Sequence, residues 1–459
     1  MSIFPLLSAL LAFPAAPQGG SFGFGEAVEL PSSSPQDADH AAVAINSDGD
    51  LLAVFSSERF DLSPRAFQVE AFYLSHLGSG AWSAPDAAVN RCLLGSAKSQ
   101  AFGLAYEACR KPDVVAVGRD FYVVWPRSSE DRLLHRLEMA RVAPDGLGGF
   151  RVDAPGPGVG YVVDAQIDGQ VAGIMPDLVE VPGQAASVAV VYVDDELQAE
   201  PLREFDLRFL RADFGSLPPA VDGPHVLVDS ATLDDTALTT APFGGKVLPD
   251  VVRDDSGNLV LAYESYVRSG HLGAPADIGR VWLTWFADSG SGVPVPLQSH
   301  EFRGQRRSDP VRRPKLATSR MDATNSVSIA MMHLPDQQQE TDTGYYEATW
   351  DGTTITSVDL LYPNSGALPD SMPTPVHGAT LRACLGTRGN EGHTHLVAFL
   401  QSLTGGLISI PATREPWRPA SDLMEPGPSG SGASTCVPIT YEAVSAAGPV
   451  RVFLRVDRR

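Results

Sequence analysis

Short apolar runs of strand length recur along the whole chain, each opened by a turn residue and followed, after a Gly, Asp or Asn turn, by a second apolar run. Within them Val, Ala and Leu either alternate with polar residues or run on unbroken, the patterns of half-buried and fully buried strands. Seven copies begin near His40 (HAAVAINSDGDLLAVF), Pro112 (PDVVAVGRDFYVVW), Pro176 (PDLVEVPGQAASVAVVY), Pro249 (PDVVRDDSGNLVLAY), Pro314 (PKLATSRMDATNSVSIAMM), Ala379 (ATLRACLGTRGNEGHTHLVAF) and Cys436 (CVPITYEAVSAAGPVRVFL). The breaks hold Ser47 to Asp50 or Asp255 to Asn258, residue types that accept the positive φ of tight hairpins. Most copies add a second predicted hairpin: Val69 to Ser75 with Trp82 to Asn90, Leu137 to Val142 with Gly149 to Val152, Phe205 to Leu210 with His225 to Val228, Val281 to Phe286 with Val293 to Gln298, and Tyr345 to Trp350 with Thr354 to Leu360.

A period of roughly 56 to 73 residues, with four strands and then a long connection, is the wiring of a β-propeller. The expected fold is all-β: a single propeller over residues 20–459, built of four-stranded antiparallel blades, seven by the copies and six as the alternative. The last copy has two clear strands, and Phe24 to Leu30 (FGEAVEL) reads as its missing outer strand, so that both chain ends close the ring and remove free sheet edges. Helical patterning is confined to a weak stretch over Ser129 to Val142.

The 34 basic and 55 acidic residues give a net charge of -21 with no Lys/Arg block, which argues against nucleic acid and anionic membrane as partners. Ile3 to Phe13 is apolar, too short to span a bilayer and followed by small residues and Pro. Residues 1–19 therefore read as a signal peptide, and the protein as secreted, periplasmic or held at the cell surface. In that setting Cys92 with Cys109, and Cys384 with Cys436, are expected disulfide partners.

The segment YLSHLGSGAWSAPDAAVN, Tyr73 to Asn90, resembles the Asp-box hairpin of the sialidase and BNR-repeat propellers, with Ser75 and Trp82 at the right separation and Leu77 in place of the Asp. Ala143 to Gly146 (APDG) and Ala287 to Gly290 (ADSG) are fragments of the same box. The resemblance implies a propeller and gives the box a structural role. INSDGDLLAVFSSER, Ile45 to Arg59, is also similar to the first sialidase blade, but Asp39-His40-Ala41 stands where that family has Arg-Ile-Pro. The first arginine of a carboxylate-clamping triad is absent, and His cannot reproduce its bidentate, permanently charged grip.

In propeller wiring the loops before the first strand and after the second of each blade share one face. The candidate ligand rim is accordingly Glu58, Arg59, Arg110, Arg127, Asp195, Glu264, Tyr266 and Arg313, with Asp39, His40, Lys111, Arg312 and His377 at the same junctions. Cations alternating with carboxylates suit a polar ligand, a glycan or a protein segment, and the expected role is binding or scaffolding. The alternative is a glycoside hydrolase using two rim carboxylates. Glu391, His393 and His395 alternate in a way that fits a metal, and Asn46, Asp48 and Asp50 echo a calcium loop, but neither set is complete; no metal and no cofactor is expected. There is no P-loop, dinucleotide fingerprint or G-x-S-x-G elbow.

Overall fold

A computed structural model describes residues 20–33, 37–59, 66–97, 107–129, 135–167, 174–196, 204–229, 244–267, 278–302, 311–318, 325–333, 341–367, 374–377, 382–390, 393–400, 417–421, 436–444 and 450–458. Among them every regular element is a strand, including His135–Pro144, where the weak helical pattern lay. No helix is long and apolar enough to cross a membrane.

The strands form successive antiparallel meanders. The first runs Ala38–Ile45, Leu51–Arg59, Ala66–Leu74 and Arg91–Gly95. The second runs Asp113–Val117, Asp120–Ser129, His135–Pro144 and Phe150–Asp153, and the third Asp177–Glu180, Ser187–Glu196, Glu204–Asp213 and Ala220–Val228. The fourth has Gly244–Arg253, Leu259–Val267, Ile278–Ala287 and Val295–Phe302, and the fifth Val311–Thr318, Ser326–His333, Thr341–Trp350 and Ile355–Ala367. A sixth comprises Thr374–His377, Arg382–Asn390 and His393–Leu400. In the seventh, Trp417–Ser421, Cys436–Val444 and Val450–Arg458 are completed by the N-terminal strand Ala27–Glu29, with Val28 opposite Leu454.

Three expectations are corrected. Trp82 is not in an outer strand: Ala81–Ser83 pairs instead with Ser21–Gly23, and Arg91–Gly95 takes the outer place. The runs at Ala379 and Cys436 are not the first strands of their copies, because the short Thr374–His377 and Trp417–Ser421 precede them.

Successive meanders pack face to face, which is why their second and third strands are apolar on both sides. Leu52, Val54 and Ala71 meet Phe121, Val123 and Val142 between the first and second meanders. Tyr122 and Leu137 meet Val190 and Leu210 at the next seam, and Trp285 stacks on Trp350 with centroids 5.5 Å apart between the fourth and fifth. Leu51 and Phe55 pack on Val452, Leu454 and Val456, joining the first meander to the seventh.

The turns explain the box fragments. Asp145 Oδ1 accepts the N–H groups of Leu147 and Gly149, Asp288 Oδ1 that of Gly290, and Asp351 those of Thr353 and Thr354, so each carboxylate closes its own hairpin. Trp82 is buried and donates its indole N–H to Gly49 O at 2.8 Å, pinning the neighbouring turn. Asn46 Oδ1 likewise accepts the N–H groups of Asp48 and Asp50, and Asp50 accepts the Tyr73 hydroxyl; this is a hairpin, not a calcium loop.

Candidate functional site

The first strands of four meanders, the first, second, fourth and fifth, carry a repeated irregularity at or just before them. His40, Lys111, Leu248 and Arg313 have φ of 51°, 48°, 53° and 53°, a left-handed geometry that costs a residue with a Cβ roughly 1–2 kcal/mol. Each stands directly before a Pro-Asp, Pro-Lys or Ala-Ala dipeptide, and the strand register slips there, between Asp39 and Ala42, Val247 and Asp250, and Arg312 and Lys315. Such bulges re-aim side chains and leave an amide outside its own ladder. A side chain on the second strand of another meander takes up that amide. Glu442 accepts the N–H of His40 at 2.8 Å, Ser56 that of Lys111 at 3.0 Å, and Glu264 that of Arg313 at 3.3 Å.

The residue after each proline provides a second clamp. Asp113 Oδ2 accepts the N–H of Leu178 at 2.7 Å, Asp177 Oδ2 that of Val251 at 2.5 Å, and Asp250 Oδ2 that of Leu316 at 2.6 Å, each across to the next meander. At the fifth meander the series switches to Lys315, whose ammonium bonds Asp250 Oδ1. Burial drives the Asp113 carboxyl up to about 6, although Lys315 and the Leu178 N–H pull the other way. Asp177 is raised well above the usual range by burial and by the charges of Asp250 and Asp113, and Asp250 is raised by burial against the pull of Lys315. Burial lowers the Lys315 ammonium, but Asp250 and Asp177 outweigh it and raise it. Lys315 keeps 37 % of its side-chain exposure against 7 % for Asp250.

The rim residues read from the sequence fall into three groups. Around the head of the first and second meanders, His40 Nδ1 lies 2.9 Å from Asp39, and Arg110 lies 3.7 Å from the same carboxylate with its guanidinium 3.8 Å over the Phe67 ring. Nearby in the first meander Glu58 is buried near a strand end, and Arg59 donates to Gln68 at 3.3 Å. At the head of the fifth, Glu264 receives the Arg313 N–H and lies 3.6 Å from Arg312 Nε. Asp195 and Tyr266 are paired with Phe205 and Gly279, and their side chains lie outside the described residues.

Arg127 is a correction. Its guanidinium is fully buried against Glu138 at 2.8 Å and donates to Ser96 O and Gly158 O, both at 2.7 Å, so it ties strands together and belongs to no rim. His377 is likewise interior, with Nδ1 2.9 Å from Ser328 Oγ, which in turn lies 3.0 Å from the Tyr345 hydroxyl. Glu391 lies outside the described residues, as do the side chains of His393 and His395, and no metal-holding group occurs among the described residues.

The four cysteines carry no disulfide. Cys109 Sγ packs against Gly95, three strand residues beyond Cys92 and so about 10 Å along the strand, too far for a bridge. Cys384 packs with Ala330 and Tyr345, whereas Cys436 packs on the cluster of Phe55 and Val456. Burial pushes the Cys92 and Cys384 thiols up to about 12.

No family model and no curated protein matches this sequence. Solved structures are nevertheless similar to it. A polysaccharide lyase of family PL25, an ulvan lyase, aligns with a TM-score of 0.53 at 8% identity over 94% of this chain and 95% of that one. An α-L-arabinanase of Penicillium chrysogenum complexed with arabinobiose gives 0.47 at 11% identity, over 95% and 98%. The Trypanosoma rangeli sialidase complexed with the inhibitor DANA gives 0.43 at 13%, over 95% of this chain and 60% of that one. The likeness is one of fold. What it describes is an all-β, propeller-like arrangement of four-stranded antiparallel sheets.

The carboxylates Asp113, Asp177 and Asp250 were not among the rim residues read from the sequence. Their signal was in plain view: Pro-Asp opens three of the repeats and Pro-Lys a fourth. A dipeptide at a strand head reads as a turn, and only the three-dimensional repeat shows that its aspartate bonds the next meander.

Proposed function

We propose that this chain is a seven-bladed propeller of the sialidase-like superfamily, closed by its two ends, exported from the cell, and that it binds a glycan at the mouth of its channel. Several contacts support a ring. The first strands touch in succession from Ala38–Ile45 to Asp113–Val117 and on to Val311–Thr318, Thr374–His377 and Trp417–Ser421, which returns to Ala38–Ile45. The apolar Ile3 to Phe13 supports export.

The observation that carries the binding reading is the left-handed residue at the head of the first strands. It sets His40, Lys111 and Arg313, with Arg110 and Arg312, beside Asp39, Glu264 and Glu442. Donors and acceptors spaced around one mouth match the hydroxyl-rich surface of a sugar chain. Solved structures of similar fold are named for action on carbohydrates, which favours a glycan over a protein segment.

The test is a glycan array with the purified mature chain beside its Arg110→Ala and Arg313→Ala variants. Retention of a glycan by the parent, weakened about tenfold or more in both variants at unchanged melting temperature, supports the reading; a hit indifferent to both replacements, or none, refutes it. Glycoside hydrolysis is the second reading, favoured by one feature: Asp113, at about 6, is poised as a general acid beside other carboxylates. Against it stands the engagement of all three carboxylates by backbone amides. Turnover of any glycoside that is lost in Asp113→Asn would establish the hydrolase instead.

A further inference from the structure

The three aspartates couple charge to the seams between meanders. Each bonds a backbone N–H of the following first strand, so a change in its ionisation acts directly where two sheets meet. When all are ionised the set holds three carboxylates against the one ammonium of Lys315, an excess of negative charge on groups that run from half-buried (Asp113, Asp177) to buried (Asp250). The charged groups that act on them most strongly are one another and Lys315, and Lys111 and Arg313 stand two residues before Asp113 and Lys315 on the same strand heads. Ionisable side chains on the packed strands are engaged elsewhere: Asp39 with His40, Arg127 with Glu138, Asp194 with Arg208, Arg253 with Asp288, and Glu264 with Arg312.

We propose that Asp113, Asp177, Asp250 and Lys315 form a charge-set latch that holds the second to fifth meanders most tightly in mildly acidic solution and loosens as the ring ionises. A protonated carboxyl still accepts the N–H through its carbonyl oxygen, so protonation removes the repulsion and keeps the bonds. Lys315 stays charged and stays with Asp250. The folded state binds these protons more tightly than the unfolded chain does. Stability therefore grows as pH falls from about 6, the Asp113 midpoint, toward the unfolded value near 3.9, and the gain is absent above that window.

The test is thermal unfolding of the full chain between pH 8 and pH 5. For the parent the midpoint should rise by about 3 °C on acidification, and in Asp113→Asn/Asp177→Asn the rise should disappear because the amides cannot ionise. A parent midpoint that falls throughout that range, or a double variant that keeps the parent's slope, overturns the proposal. Should the double variant not fold, infrared spectra of the parent and of each single variant at about pH 6.5 decide, where ordinary carboxyls have lost their protons. A protonated-carboxyl band in the parent that weakens in Asp113→Asn or Asp177→Asn supports the latch, and its absence from the parent overturns it.

Discussion

The Glu442 carboxylate accepts the backbone N–H of His40 at 2.8 Å across 402 positions of sequence. Glu264 makes the same bond to Arg313, so one geometric problem, a left-handed residue with an orphaned amide, is solved twice by a glutamate from another meander. Glu442 is buried, and its loss removes the carboxylate that this amide bonds. Glu442→Ala should cost about 1–3 kcal/mol in urea unfolding, and Glu442→Gln, which retains a carbonyl oxygen, should recover most of it.

Arg127 and Glu138 are both 0 % exposed, and Glu138 also accepts the N–H of Gly160. Removing one partner strands a charge in the interior. Glu138→Ala should destabilise by about 3–5 kcal/mol, whereas Arg127→Met with Glu138→Gln, which removes the buried pair and keeps an acceptor for Gly160 and Arg136, should cost clearly less, as chemical denaturation of the single and double variants would report.

Asp288 responds to pH in the sense opposite to the inner aspartates. Burial alone would raise it, but Arg253, the Gly290 N–H and Arg211 outweigh burial and hold it below the usual carboxylate range. Its contribution is complete above the unfolded value near 3.9 and is lost as pH falls below it. Melting curves should therefore reach their maximum between about pH 4 and 6, and Asp288→Asn should flatten the acid limb while leaving the alkaline one unchanged.

At Gly80, φ is +74° and an added Cβ would come 2.0 Å from Phe24 Cε2, the ring that meets Trp82 edge-on at 5.2 Å. Gly80→Ala should expel Phe24 from that cluster. Trp82 fluorescence should shift to the red and proteolysis near residues 20–30 should accelerate, with a cost of roughly 1–2 kcal/mol.

How far the amino-acid pattern reached can be seen strand by strand. The predicted hairpins at Pro112, Pro176 and Pro249 coincide with the first two strands of their meanders, because long, doubly buried second strands and a positive-φ glycine in each turn (Gly118, Gly183 and Gly257) leave a strong period. The pattern fails where a proline lies inside a first strand of four or five residues. Pro375 in Thr374–His377 and Pro419 in Trp417–Ser421 leave no apolar run there, so the runs at Cys384 and Cys436 read as first strands when they are second ones. Arg127 was misplaced for a related reason: an arginine near a strand end looks like rim until its partner Glu138, eleven residues away on the next strand, is seen to bury it. The recurring amide clamps involve Glu442, Ser56 and Glu264, which each follow the aromatic residue closing a second apolar run (Tyr441, Phe55 and Tyr263), but no spacing rule links them to His40, Lys111 and Arg313.

The pairing of Ala27–Glu29 with Val450–Arg458 has a consequence for biogenesis. While the ribosome is still at work, this N-terminal strand cannot pair as it does in the finished fold, because its partner edge does not yet exist. Final assembly must wait until translation has passed Arg455, so the seventh meander is the last to be completed however early the others form.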